Sequence, residues 1–257
     1  MSRQQRQIEL HENLADQYFV RYGYKYSEIF QNYWNNQLIK LCLGSDKSCI
    51  LDFGCGNGIL IPDLVKNFTS VYGLDISFRM LESVKDNWSD SKGVIVGDGN
   101  YLPFKDGSFD GVICRGVIHH IPNINLTLNE VYRILKKDGV FVFSEPCNDS
   151  FIVRLARKIM YKRSKSFDED DKAFLQSELE TIINEEGSFT TEQIERFGFV
   201  AYALAGFPDH ISILEHLPFN QTITRILIVI DRILAGTPFI KKQSLHIIVK
   251  LRKRNAT

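Results

Sequence analysis

Residues 50 to 60 read ILDFGCGNGIL. An apolar run meets an acid, Asp52, and then Gly54, Gly56 and Gly58 stand at alternate positions with Cys55 between the first two. Glycines so spaced permit a tight bend and let the backbone itself come close to a bound molecule. A pyrophosphate loop for a dinucleotide needs G-x-G-x-x-G. Counted from Gly54, its third glycine slot holds Ile59, so that template fails. Asp75 closes the next apolar stretch, where a carboxylate can accept hydrogen bonds from both hydroxyls of a ribose. Further along, His119 and His120 form a pair of groups that titrate near neutral pH, and Glu145 closes a later apolar stretch. His120 and Glu145 are the candidates for proton transfer at an acceptor.

These residues need a frame. Apolar positions recur at three- and four-residue steps over residues 8–43, which predicts helix. From Ser48 short apolar runs alternate with helical stretches. CILDF, VYGLDIS, GVIVGD, FDGVICRGVIHH and VFVFSEP read as strands; ILIPDLVKNF, FRMLESVKDNW and NLTLNEVYRILKKDG read as helices. Gly139 is placed to end the last helix in a left-handed conformation. Strands and helices alternating in this way predict a parallel sheet with right-handed crossovers and helices on both faces. Ligands bind such sheets outside the carboxyl ends of the strands, where the glycines, Asp75, Asp98, Cys114 and Arg115 fall.

Beyond Pro146, residues 150–187 read as charged helix, basic from Arg154 to Lys165 and acidic from Asp168 onward. SFTTEQIERFGF reads as a threonine-capped helix, FVAYALAGF as a strand, residues 209–240 as a helical insertion and SLHIIVKLRK as the last strand. The whole predicts an α/β, Rossmann-like architecture: a seven-stranded, mostly parallel sheet, an N-terminal helical segment, and helical insertions before strands 6 and 7. Its expected divisions are a cap over 1–47 and a domain over 48–257, with insertions at about 148–190 and 209–240.

The glycine loop after an acid, with GDGNYLPFKDGSFDGVICRGVIHHIP and RILKKDGVFVFSEP, resembles class I S-adenosylmethionine-dependent methyltransferases. The branch it is most similar to is the small-molecule one that includes the ubiquinone and menaquinone biosynthesis methyltransferases. That resemblance implies S-adenosylmethionine as cofactor and methyl transfer to an oxygen, nitrogen or carbon of a small acceptor. It implies Asp52 near the cofactor's ammonium, Asp75 on the ribose, Ile76 against the adenine, and Asp98 with Gly99 at the adenine amino group. The segment before the first strand often covers the cofactor in this branch, which singles out Tyr18 and Tyr22. Arg115 stands where a small residue is commoner. Parts of the same pattern occur in tRNA methyltransferases, and a non-catalytic subunit keeping the fold is the remaining alternative.

Lysine plus arginine and aspartate plus glutamate each number 31, so the net charge is zero and no global excess advertises a nucleic acid. The five cysteines form no CxxC pair and no metal spacing, and they read as reduced thiols of a cytoplasmic protein. The N-terminus lacks the apolar core of a signal peptide, and no apolar run approaches a membrane span. In FNQTITRILIVIDRIL, Ile223, Leu227, Ile230 and Leu234 share a helical face that Ile226, Val229 and Ile233 widen. A face so broad fits core, a homodimer contact, a hydrophobic acceptor site or peripheral contact with a membrane, and core is the default.

Overall fold

The computed structural model describes residues 3–21, 23–42, 49–82, 91–163, 173–206, 208 and 211–254. Two helices lead in, α1 (Arg3–Arg21) and α2 (Lys25–Cys42). Then β1 (Cys49–Phe53), α3 (Ile61–Asn67), β2 (Ser70–Asp75), α4 (Phe78–Glu82), β3 (Gly93–Val96), β4 (Phe109–Arg115), α5 (Ile124–Ile134) and β5 (Leu135–Pro146) alternate. Two helices, α6 (Phe151–Arg163) and α7 (Gln176–Glu186), precede β6 (Phe189–Phe197). Two more, α8 (Val200–Ala205) and α9 (Asn220–Gly236), precede β7 (His246–Lys253).

The seven strands form one sheet in the order β3-β2-β1-β4-β5-β7-β6. β1 to β5 pair in parallel, and β7 runs antiparallel to both β5 and β6. Strand residues alternate between faces, and two cores result. Ile50, Ile113, Val140, Val142 and Ile248 join α2, α3 and α8 on one side. Leu51, Val112, Phe141, Phe143, Ile247 and Val249 join α5 and α7 on the other. Strand order reverses between β1 and β4, so a crevice opens there at their carboxyl ends.

Three local expectations fail. NLTLNEVYRILKKDG is helical only to Ile134, and β5 starts at Leu135. The left-handed residue of that turn is Asp138 (φ 61°), not Gly139. Gly139 is needed for room, since a Cβ there would stand 2.9 Å from the Lys136 carbonyl oxygen. FTTEQIERF is the sixth strand and not a helix. It pairs only with β7, at the sheet's edge, so most of its side chains meet water and its pattern loses the apolar alternation of a buried strand. FVAYALAGF, read as that strand, holds α8, which buries Ala201, Tyr202 and Ala205 at helical spacing. The FRMLESVKDNW helix is present from Phe78 to Glu82, and residues 83–90 lie outside those described.

Candidate active site

The first strand ends in the glycine loop. Gly54 and Cys55 donate their N–H groups to the Leu74 carbonyl (2.8 and 3.0 Å), which fixes the loop against β2. Gly54, Gly56 and Gly58 all have positive φ (73°, 51° and 75°). A Cβ at Gly54 would meet Val117 Cγ2 at 2.3 Å, whereas at Gly56 it would meet nothing within 4 Å. Gly54 is thus close-packed from within, and Gly56 leaves its backbone open.

Asp75 closes β2 and faces the same loop. Its Oδ2 accepts from the Gly56 N–H at 2.7 Å and its Oδ1 from the Ser77 N–H at 2.9 Å. Each carboxylate oxygen has further acceptor capacity, so Asp75 can hold the loop and still receive two hydroxyls. Burial pushes its pKa up, against the N–H groups of Ser77 and Gly56 and the His11 imidazole. Ile76 follows it, half-buried. Ser77 caps α4 by accepting from the Met80 N–H (3.2 Å). Asp98, beyond β3, accepts from the Asn100 N–H (2.9 Å), and a Cβ at Gly99 would stand 2.5 Å from the Phe53 ring. Cys55 and Cys114 are buried, and burial raises both thiols well above their usual range.

Asp52 is the unusual group. It is 2% exposed, and its Oδ2 has no hydrogen-bond partner among the described residues. Burial pushes its pKa up to about 8; the Arg115 guanidinium opposes that rise and the Asp75 carboxylate adds to it. A buried carboxylate oxygen without a partner costs free energy unless a ligand supplies one.

Arg115 ends β4 and reaches α2. It donates to Asn35 Oδ1 at 2.7 Å and to Gln31 Oε1, and its guanidinium lies 3.9 Å from the centre of the Trp34 ring. Asn35 donates in turn to the Ile59 carbonyl and to Asp63 Oδ2, both at 3.0 Å. Arg115 therefore fastens α2 beside the glycine loop. Gln31 and Asn35 were not among the expected site residues. The signal for them is a polar pair four residues apart on the apolar face of Phe30, Trp34 and Leu38.

At the end of β5, Glu145 is fully buried. It accepts from the N–H groups of Val117 (3.0 Å), Ile118 (2.9 Å) and His119 (3.3 Å), and lies 2.7 Å from His119 Nδ1. With Glu145 so occupied, the ring it orients is that of His119. His120 lies beside that ring, tilted by 40° with centroids 3.9 Å apart, and meets His11 of α1 edge-on at 5.1 Å. α1 thus comes over the site, and Glu12 fastens it there by accepting from Ser77 Oγ (2.9 Å) and the Arg79 N–H (3.2 Å). Sequence pattern did not single out His11 or Glu12; only the fold brings them near β2. The covering role expected of Tyr18 and Tyr22 falls on side chains outside those described.

The basic stretch is divided. Arg157 is buried and donates to the Cys147 carbonyl (2.9 Å), the Leu245 carbonyl (3.0 Å) and Asn148 Oδ1. Arg154 and Lys158 are exposed, and the remainder of the stretch, from Lys162 to Lys165, lies outside the described side chains.

The residues present fit S-adenosylmethionine. The open backbone at Gly56, the unpartnered Asp52 oxygen and the Asp75 carboxylate lie around one crevice and match an ammonium at one end and a ribose at the other. A sequence profile of the methyltransferase domain matches residues 51–143. An uncharacterised protein of Methanocaldococcus jannaschii is 36% identical over 137 residues, covering 53% of this chain and 50% of that protein. A demethylmenaquinone methyltransferase of Lactobacillus johnsonii is 30% identical over 148 residues, 53% of this chain and 60% of its own length. The matches thus span about half to three-fifths of these curated relatives. The crystal structure of a methyltransferase of Thermotoga maritima superposes with a TM-score of 0.64 at 19% identity, over 96% of this chain and 99% of that one. The glycine loop lies within the matched stretch: residues 51–143 are similar to the methyltransferase domain, and the chain shares its fold with a solved methyltransferase.

Proposed function

We propose that the chain transfers a methyl group from S-adenosylmethionine to a small acceptor molecule. The observation that carries this reading is the buried Asp52 oxygen that has no partner among the described residues, together with the open space at Gly56 and the Asp75 carboxylate bonded to its N–H. Asp52 would pair with the cofactor's ammonium, Asp75 with the ribose hydroxyls, Ile76 and Asp98 with the adenine, and α1 and α2 would form the cap. When bound, the cofactor supplies a methyl group on a positively charged sulfonium, already a strong donor.

The protein's share is then alignment and enclosure. The charge to be dispersed is a cation's, so a dry site does not oppose the reaction. Where the acceptor must lose a proton, His119 is the better placed base. Glu145 as a carboxylate accepts the Nδ1 proton, which leaves Nε2 free of hydrogen and basic. Glu145 is accordingly a positioning residue. A curated relative is a demethylmenaquinone methyltransferase, which favours a small and largely apolar acceptor here.

The test is calorimetric titration with S-adenosylmethionine and S-adenosylhomocysteine, on wild type and on Asp75→Ala. Both ligands should bind wild type, and the substitution should weaken them about tenfold or more, the worth of hydrogen bonds to a charged group. No binding by wild type would sink the proposal.

A further inference from the structure

α9 is apolar on both sides. Ile223, Leu227 and Ile228 pack inward on the core. Ile226, Val229, Ile230 and Ile233 do not; they are exposed, Ile233 at 63%. Core is therefore the right reading for one face of the helix and not for the other. Phe219 and Phe239 stand at its two ends, 83% and 87% exposed. Both have positive φ (59° and 65°), a conformation unfavourable to any residue with a β-carbon.

A second apolar surface adjoins it. Phe151 and Ile152, in the first turn of α6, are 71% and 70% exposed, and Leu155 follows them. Ser150 caps α6 at the Val153 N–H (3.2 Å) and is hydrogen-bonded to Gln243, so the start of α6 meets the turn that follows α9. That junction lies where Pro146 of β5 pairs with His246 of β7, at the carboxyl end of β5 and beside Glu145.

The charges on these segments have one sign. Arg154 and Lys158 on α6, Arg225 and Arg232 on α9, and Lys241 and Lys242 after it are all exposed. Across α6, α9 and residues 237–243 the one acid is Asp231. It is turned inward, accepting from the N–H groups of Phe199 (2.9 Å), Val200 (2.8 Å) and Ala201 (3.0 Å). Twofold pairing of two copies through this face would set cations against cations. A bilayer carrying anionic headgroups answers the aliphatic residues and the cations together.

We infer that the protein docks on an anionic lipid surface through the outer face of α9, the turn at 239–242 and the start of α6. No helix among the described residues is long and apolar enough to cross a membrane, so the contact is interfacial. Docking is independent of methyl transfer. It brings the acceptor side of the site next to the lipid, and only that use of it rests on the proposed function.

Cosedimentation with vesicles tests this, comparing phosphatidylcholine alone with phosphatidylcholine containing phosphatidylglycerol, at low and high salt. Wild type should sediment with the anionic vesicles and leave them at high salt. The double substitutions Ile226→Glu/Ile233→Glu and Arg225→Glu/Arg232→Glu should each lower partitioning about tenfold or more. All four sites are solvent-exposed, so the thermal unfolding midpoint should stay at the wild-type value. Absence of sedimentation, or equal binding to neutral vesicles, would overturn the inference. So would a dimer in light scattering that Ile226→Glu/Ile233→Glu dissociates, with no vesicle binding, since the face would then be a contact between copies.

Discussion

Asp52 and Asp75 occupy one crevice but are satisfied to different degrees. Asp75 already accepts two backbone hydrogen bonds, whereas Asp52 keeps one buried oxygen unpartnered and has a pKa near 8. At neutral pH the ligand-free protein therefore holds most of its Asp52 carboxyl protonated. An ammonium brought against it favours the charged form and lowers that pKa. Binding of S-adenosylmethionine near pH 7 should then release close to one proton, and affinity should rise with pH through the range just below 8. Calorimetry in phosphate and in Tris reads this directly, because the released proton adds each buffer's own heat of ionisation. Asp52→Asn should remove the difference between buffers. Equal heats in both buffers with wild type would show that the ammonium and Asp52 do not meet.

At the scale of elements, two helices reach the site and are fastened in different ways. α2 is held through the buried pairing of Arg115 with Gln31 and Asn35; α1 is held at the surface through Glu12. Arg115→Leu leaves two buried amides short of partners, at about 1–3 kcal/mol each. It should lower unfolding stability by about 2–4 kcal/mol in denaturant titration. Glu12→Ala exposes its former partners to water and should cost about 1 kcal/mol or less, yet speed tryptic cleavage within α1. If Arg115→Leu proved neutral, α2 would be held by its apolar face alone. The same contrast explains what could be read from sequence. β1 to β5 and their loops are local patterns, apolar runs closed by glycine or acid, and they are legible without tertiary knowledge. β6 is not, because an edge strand with solvated side chains has no apolar alternation, and the Ala-rich α8 presents too short an apolar face to declare its period. Asp52, Asp75 and the glycine loop follow from spacing. The clasp of α1 on α4 pairs residues 65 and 67 positions apart and follows only from the fold.

Over the whole molecule, the sheet separates two apolar cores and buries Asp52 near the carboxyl end of β1 and His246 at the amino end of the antiparallel β7, beside the carboxyl end of β5. They bias stability in opposite directions. His246 is hydrogen-bonded to Ser144 and Tyr202, and burial, with Arg157, His119 and Arg115 nearby, drives its pKa well below the ordinary value. Below about pH 6.5 the unfolded chain therefore binds a proton there that the folded one refuses, and stability falls as pH falls. Asp52 acts the other way. Between its ordinary value near 4 and its folded value near 8, the folded protein holds a proton that the unfolded chain has lost, so stability falls as pH rises. Above about pH 6.5 the histidine no longer contributes a slope and Asp52 does. The ligand-free protein should accordingly lose stability from about pH 6.5 to pH 8, a decline that unfolding midpoints across that range will show. Asp52→Asn should flatten it. Saturating S-adenosylmethionine should flatten it too, because an ammonium supplied to the carboxylate removes the reason for the bound proton. A slope that survives both changes would have to come from another group, and the unpartnered oxygen of Asp52 would then have no electrostatic consequence for folding.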